Sequence, residues 1–120
     1  MACAIGSIRG SAGGSDVAFR VRVCSRAEVV AGVLKVCSVT GVTWPVLVTV
    51  VDGEVIAVPG VCPHEDVPLA TGTLEAGELT CPGHGYTFDL RDGACTHDPT
   101  LVLRRYPVTI ADGVVYVDLL

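Results

Sequence analysis

Long apolar runs are missing from this chain of 120 residues, although half of its residues (50%) are hydrophobic. No stretch approaches the roughly twenty consecutive apolar residues that a helix needs to cross a bilayer. The apolar run near the start is too short and too polar for a signal peptide, and it lacks a basic n-region. The expectation is a soluble, cytoplasmic protein with no membrane partner. Basic residues are scarce too: 8 Lys and Arg face 13 Asp and Glu, for a formal net charge of −5. Phosphate backbones repel such a chain, which argues against a nucleic-acid partner. Mild acidity aids solubility, and it also suits brief encounters with basic patches on other proteins. No long helical periodicity is present, and the length allows one domain with a modest core. A disulfide framework is absent as well. The six cysteines (3, 24, 37, 62, 81 and 95) are scattered, as thiols in a reducing compartment are.

What is there is concentrated in two short clusters, Cys62-Pro63-His64 and Cys81-Pro82-Gly83-His84, separated by residues 65–80. Each puts one thiol and one imidazole two or three positions apart. The first carries Pro63 and the second Pro82 and Gly83, residue types that favour a tight loop over a helix or strand. Two such loops facing each other offer two sulfurs and two nitrogens to an inorganic centre. Cys2His2 is also a structural zinc set. Zinc fingers, however, usually group Cys with Cys and His with His. A mixed pair in each loop suits a binuclear centre with chemically distinct ends, and absorption separates the two, because a zinc protein is colourless. Cys24 and Cys37 lie in apolar, strand-like stretches and are expected to pack as small hydrophobes. Cys95 is not needed as a fifth ligand.

Elsewhere the pattern is of strands and turns. Residues 1–16 are rich in Gly, Ser and Ala and read as a flexible tail. Residues 17–23 alternate apolar and charged side chains, as a half-buried strand does. Ser25 and Glu28 form a capping box for one short helical turn ended by Gly32. Residues 33–39 and 45–51 read as strands. Asp52-Gly53 predicts a hairpin into residues 54–58. A second hairpin runs from 106–110 to 114–119 across Ala111-Asp112-Gly113. The result is an all-β domain over residues 17–120, with a base from 17–59 and 101–119 and a loop-rich metal-holding subdomain at about 60–100.

The C-x-H plus C-x-x-H pair is the pattern of a Rieske [2Fe–2S] centre. The whole run from Cys62 to Pro99 resembles the cluster segment of small Rieske-type ferredoxins serving bacterial aromatic-ring dioxygenases and multicomponent monooxygenases. Pro68-Leu69, Thr71-Gly72, Gly85, Phe88-Asp89-Leu90, Asp92-Gly93 and Tyr106-Pro107-Val108 carry the likeness. The resemblance implies a stack of three antiparallel sheets with the cluster at the tip of two loops. It implies one [2Fe–2S] cluster per chain, bound by Cys62, His64, Cys81 and His84, with Pro63, Pro82, Gly83, Gly85 and Pro99 shaping the loops. It implies no catalytic residues but a one-electron carrier, fed by an NAD(P)H-dependent, flavin-containing reductase and delivering to a terminal oxygenase. The small subunit of an assimilatory nitrite reductase is the alternative. With neutral imidazoles, two thiolates cancel the +2 core. Gaining an electron is then easier than in an all-cysteine cluster, and His64 and His84 become the electron portal, with acidic Glu65 and Asp66 placed to orient partners. The disulfide clamp of the quinol-oxidising branch is absent, since Val67 and Gly83 occupy its positions. Tyr86 and Phe88 stand where that branch has a Ser and a Tyr donating to sulfur. Fewer donors imply a lower potential.

Overall fold

The computed structural model describes residues 20–63, 66–83 and 85–119. The tail 1–16, Cys3, His64, Glu65 and His84 therefore lie outside the described residues. Among the described residues, nine strands form three three-stranded antiparallel sheets. The first contains β1 (Arg20–Ser25), β9 (Val114–Asp118) and β8 (Val108–Ala111), in that order. The second runs β2 (Lys35–Cys37), β3 (Val46–Val51), β4 (Glu54–Pro59). The third runs β5 (Thr73–Glu75), β6 (Glu78–Thr80), β7 (Thr87–Asp89) and lies wholly within the predicted cluster subdomain.

The β3–β4 hairpin explains the layering. Its strands read as nearly unbroken apolar runs, the signature of strands covered on both faces. Side chains alternate across a strand, so each run sends its residues to two different cores. Val46 and Val48 with Val55 and Ala57 pack against β1 and β9 through Cys24, Val115 and Val117. Leu47, Val51, Ile56 and Val58 face the other way, into a core with Leu69, Leu79, Phe88, Leu90 and Leu103. The second sheet is thus the middle layer, and the predicted cluster cysteines, Cys62 and Cys81, belong to the second core.

Both predicted Asp-Gly hairpins are present. Asp52-Gly53 (φ 52° and 80°) and Asp112-Gly113 (φ 51° and 74°) have the left-handed pair that twisted two-residue turns require. The capping box is half made. Arg26–Glu28 is a single 3-10 turn, and the Ser25 side chain does not cap it. The Glu28 carboxylate accepts from the Ser25 backbone, and its bond to Lys35 (3.0 Å) is the larger reason that its pKa is lowered. The turn ends at Val29, three residues before Gly32.

Cys24 and Cys37 are buried, 4% and 5% exposed, as small hydrophobes are. They share one core between the first and second sheets, where the Cys37 thiol donates to the Lys35 carbonyl (3.9 Å). Burial, then the neighbouring Cys24, pushes the Cys37 thiol from its ordinary 9.0 up to about 11. The folded state thus keeps a proton that the unfolded chain loses. This contribution to stability is complete below about pH 9 and fades as pH rises to about 11. Thermal unfolding followed by circular dichroism should show the melting temperature falling across that window. The fall should be shallower in Cys37→Ala.

Candidate functional site

Both predicted cluster loops are built to one plan. The Cys62 N–H donates to the Val67 carbonyl (3.0 Å), and the Cys81 N–H donates to the Tyr86 carbonyl (2.8 Å). Each cysteine therefore closes a six-residue loop through its own backbone. Pro63, Pro82 and the glycines within suit the tight path. The two sulfurs sit at the loop bases, on residues only 2% and 1% exposed. Pro63, Asp66, Pro82, Gly83 and Gly85 on the outer turns are exposed. The Gly83 N–H lies 3.4 Å from Cys81 Sγ, a backbone donor aimed at sulfur that needs no side chain. No residue pattern signals that donor, because any amino acid except proline supplies it.

Three features hold the loops together. The Gly60 N–H donates to the Pro45 carbonyl (2.8 Å) and the Leu69 N–H to the Gly60 carbonyl (2.9 Å), fastening the first loop to the middle sheet. Gly72 lets the chain after the first loop press against the Thr80 carbonyl, next to Cys81. Arg91 joins the third sheet to the β3–β4 turn: its guanidinium meets Asp52 at 2.7 Å, Asp89 at 3.1 Å and the Ala76 carbonyl at 3.2 Å. These groups are largely solvated, so they set geometry more than they add stability. The backbone N–H of Arg91, then its side chain, lowers the Asp89 pKa.

Of the four predicted ligands, Cys62 and Cys81 share one core, while His64 and His84 are outside the described residues. Cys95 is buried in that core and pairs with Phe88 across a single bridge. Phe88 is fully buried and offers no donor. The Tyr86 ring lies instead against His97, with centroids 5.9 Å apart. Sequence reasoning gave that third histidine no role.

Comparison with known proteins agrees with this geometry. The Rieske [2Fe-2S] domain family matches residues 19–107. The ferredoxin component of the p-cumate 2,3-dioxygenase system of Pseudomonas putida is 32% identical over 106 residues, covering 86% of this chain and 88% of that one. A solved Sphingomonas yanoikuyae B1 ferredoxin superposes with a TM-score of 0.73 at 32% identity, covering 84% of this chain and 99% of its own. The ferredoxin–oxygenase complex of carbazole 1,9a-dioxygenase also matches, at 28% identity and a TM-score of 0.72, over 83% of this chain and 93% of the matched one. Two larger curated relatives, an oxygenase component and a monooxygenase, are matched over only 22% and 20% of their lengths. A domain of this family holds one [2Fe–2S] cluster, and two buried thiols at the bases of two like loops fit a group that needs two thiolates. By sequence and by fold, the chain belongs to the Rieske [2Fe-2S] domain family.

Proposed function

We propose that this chain is a ferredoxin: a one-electron carrier between an NAD(P)H-dependent flavin reductase and a terminal oxygenase, with no substrate chemistry of its own. The observation that carries the proposal is coverage. The chain spans 88% of a dioxygenase ferredoxin component, and 93% of the matched chain from a ferredoxin–oxygenase complex. No observation favours the nitrite reductase alternative. The folded unit is taken as residues 17–120, in a reducing cytoplasmic setting where Cys24, Cys37 and Cys95 remain thiols.

In this reading Cys62 and Cys81 hold one iron while His64 and His84 hold the other. The bound cluster supplies reversible one-electron transfer near neutral charge. The chain's own residues do the rest. The buried cysteines exclude water from the sulfur side, and the Gly83 N–H favours negative charge on Cys81 Sγ. Exposed turns at Pro63, Asp66, Pro82 and Gly85 leave the outer edge open to a partner.

The test is reconstitution. Protein made with ample iron should be red-brown, with two irons and two sulfides per chain. Its potential should lie nearer about −150 mV than about +300 mV. Turnover of a ring-hydroxylating or related oxygenase by a flavin reductase should depend on added protein. Stoichiometric zinc in a colourless product would refute the reading. So would a potential well above about +100 mV, as far as the sparse donor set is concerned.

A further inference from the structure

The peptide unit joining Tyr86 to Thr87 is gripped at both ends. Its carbonyl accepts the Cys81 N–H at 2.8 Å. Its N–H donates to Nδ1 of His97 at 3.3 Å. A trans peptide is rigid and planar, so a group that fixes one end also aims the other. Residues 94–96 run beside β7 as a short extra strand. The Asp89 N–H reaches the Ala94 carbonyl (2.9 Å) and the Thr96 N–H reaches the Thr87 carbonyl (2.8 Å). In a regular antiparallel ladder the Thr87 N–H would then find the Thr96 carbonyl. Here the chain is already turning into Asp98-Pro99, a dipeptide that favours a turn. The Asp98 carboxylate holds that turn by accepting from the Thr100 N–H and hydroxyl, at 2.9 and 2.6 Å. The His97 imidazole takes the missing place in the ladder. Acceptance at Nδ1 assigns the proton of the neutral ring to Nε2. The same ring lies against Tyr86 at 5.9 Å between centroids. One exposed side chain therefore holds both residues that connect the second cluster loop to β7.

We propose that His97 is a positioning residue for the second cluster loop, acting on Cys81 through the Tyr86–Thr87 peptide. The inference rests on the ferredoxin reading, since it takes Cys81 as a ligand. A polarised chain, Cys81 N–H to Tyr86 carbonyl and Thr87 N–H to His97, strengthens each bond in it. Removing the imidazole acceptor turns the Thr87 N–H over to water, and the loop loses its outer tether.

Two variants test this. His97→Ala removes the acceptor, whereas His97→Asn places an amide oxygen close to where Nδ1 stood. Three readings are taken on each full-length protein. These are hydrogen–deuterium exchange of peptides covering residues 85–88, the visible circular dichroism of the bound cluster, and the rate of bleaching in excess chelator. In His97→Ala, exchange and bleaching should rise about fivefold, the loss of one ordinary hydrogen bond. The visible dichroism should change while the melting temperature stays close to that of the parent. His97→Asn should restore all three. Bleaching at the parent rate in His97→Ala, or no recovery in His97→Asn, would overturn the proposal. If the parent protein binds no cluster, the ferredoxin reading fails. The exchange of residues 85–88 then still decides whether His97 tethers the loop.

Discussion

Alanine at Cys62 or Cys81 should yield a colourless protein that still folds, and alanine at His64 or His84 should yield one that loses its iron. The cysteine arm is clean because each loop is closed by a backbone N–H, which alanine keeps. The substitution removes only a sulfur atom from a residue 2% or 1% exposed, a small volume change in a core dominated by leucines, valines and Phe88. What disappears is the thiolate. An iron left with three ligands is released or is open to solvent, so iron and acid-labile sulfide should fall to a small fraction of the parent values. Cys95→Ala is the control. Cys95 is buried in the same core, 6% exposed, yet the proposed ligand set does not include it. That variant should keep its colour and two irons per chain. Retained iron in Cys62→Ala or Cys81→Ala, or a colourless Cys95→Ala, would mean the ligand set is misassigned.

The parts of this architecture written in local chemistry are legible in the amino-acid sequence. Asp52-Gly53 and Asp112-Gly113 announce their turns because both residues tolerate positive φ, and both adopt it. The short, nearly unbroken apolar runs of β3 and β4 announce strands because they are covered on both faces. The third sheet is different. Its strands are three residues each, too short for a period of two to show. Its first turn, Ala76-Gly77, has the same left-handed pair (φ 52° and 82°) but begins with alanine, which gives no signal. Only likeness to a family placed a sheet there. The cluster loops are legible for a further reason: metal chemistry restricts the residue types, and Cys and His are rare enough to stand out. The tether at His97 is not. It depends on a chain reversal that returns a residue ten positions downstream to the Thr87 N–H. No spacing rule encodes that return.

The same dependence on close backbone approach fixes where substitution should hurt most. At Gly93 a methyl group would run into the Leu103 carbonyl, and the backbone has φ +82°, where side chains are strained. Relief is blocked, because the Leu103 N–H donates to the Gly93 carbonyl at 2.7 Å and Leu103 is 1% exposed. Left-handed strain costs about 1–3 kcal/mol, and overpacking against a fixed wall costs about 1–3 kcal/mol more. Gly93→Ala should therefore lose several kcal/mol. At Gly72 the backbone is not left-handed, but a methyl group would collide with the Thr80 carbonyl and sit 3.1 Å from that of Leu69. Only the overpacking cost applies, yet it falls on the residue that precedes Cys81, so Gly72→Ala should also hasten cluster loss. Gly113, in the β8–β9 turn, has φ +74° and nothing within 4 Å of an added Cβ. Gly113→Ala carries the conformational cost alone, about 1–2 kcal/mol, and lies in a different sheet from the cluster loops. Chemical denaturation should rank the three losses Gly93, Gly72, Gly113. Cluster bleaching should separate them another way, with Gly72→Ala accelerated and Gly113→Ala at the parent rate. Equal losses at Gly113 and Gly93 would show that φ alone sets the cost. The close passage of residue 103 over Gly93 would then carry no energetic weight.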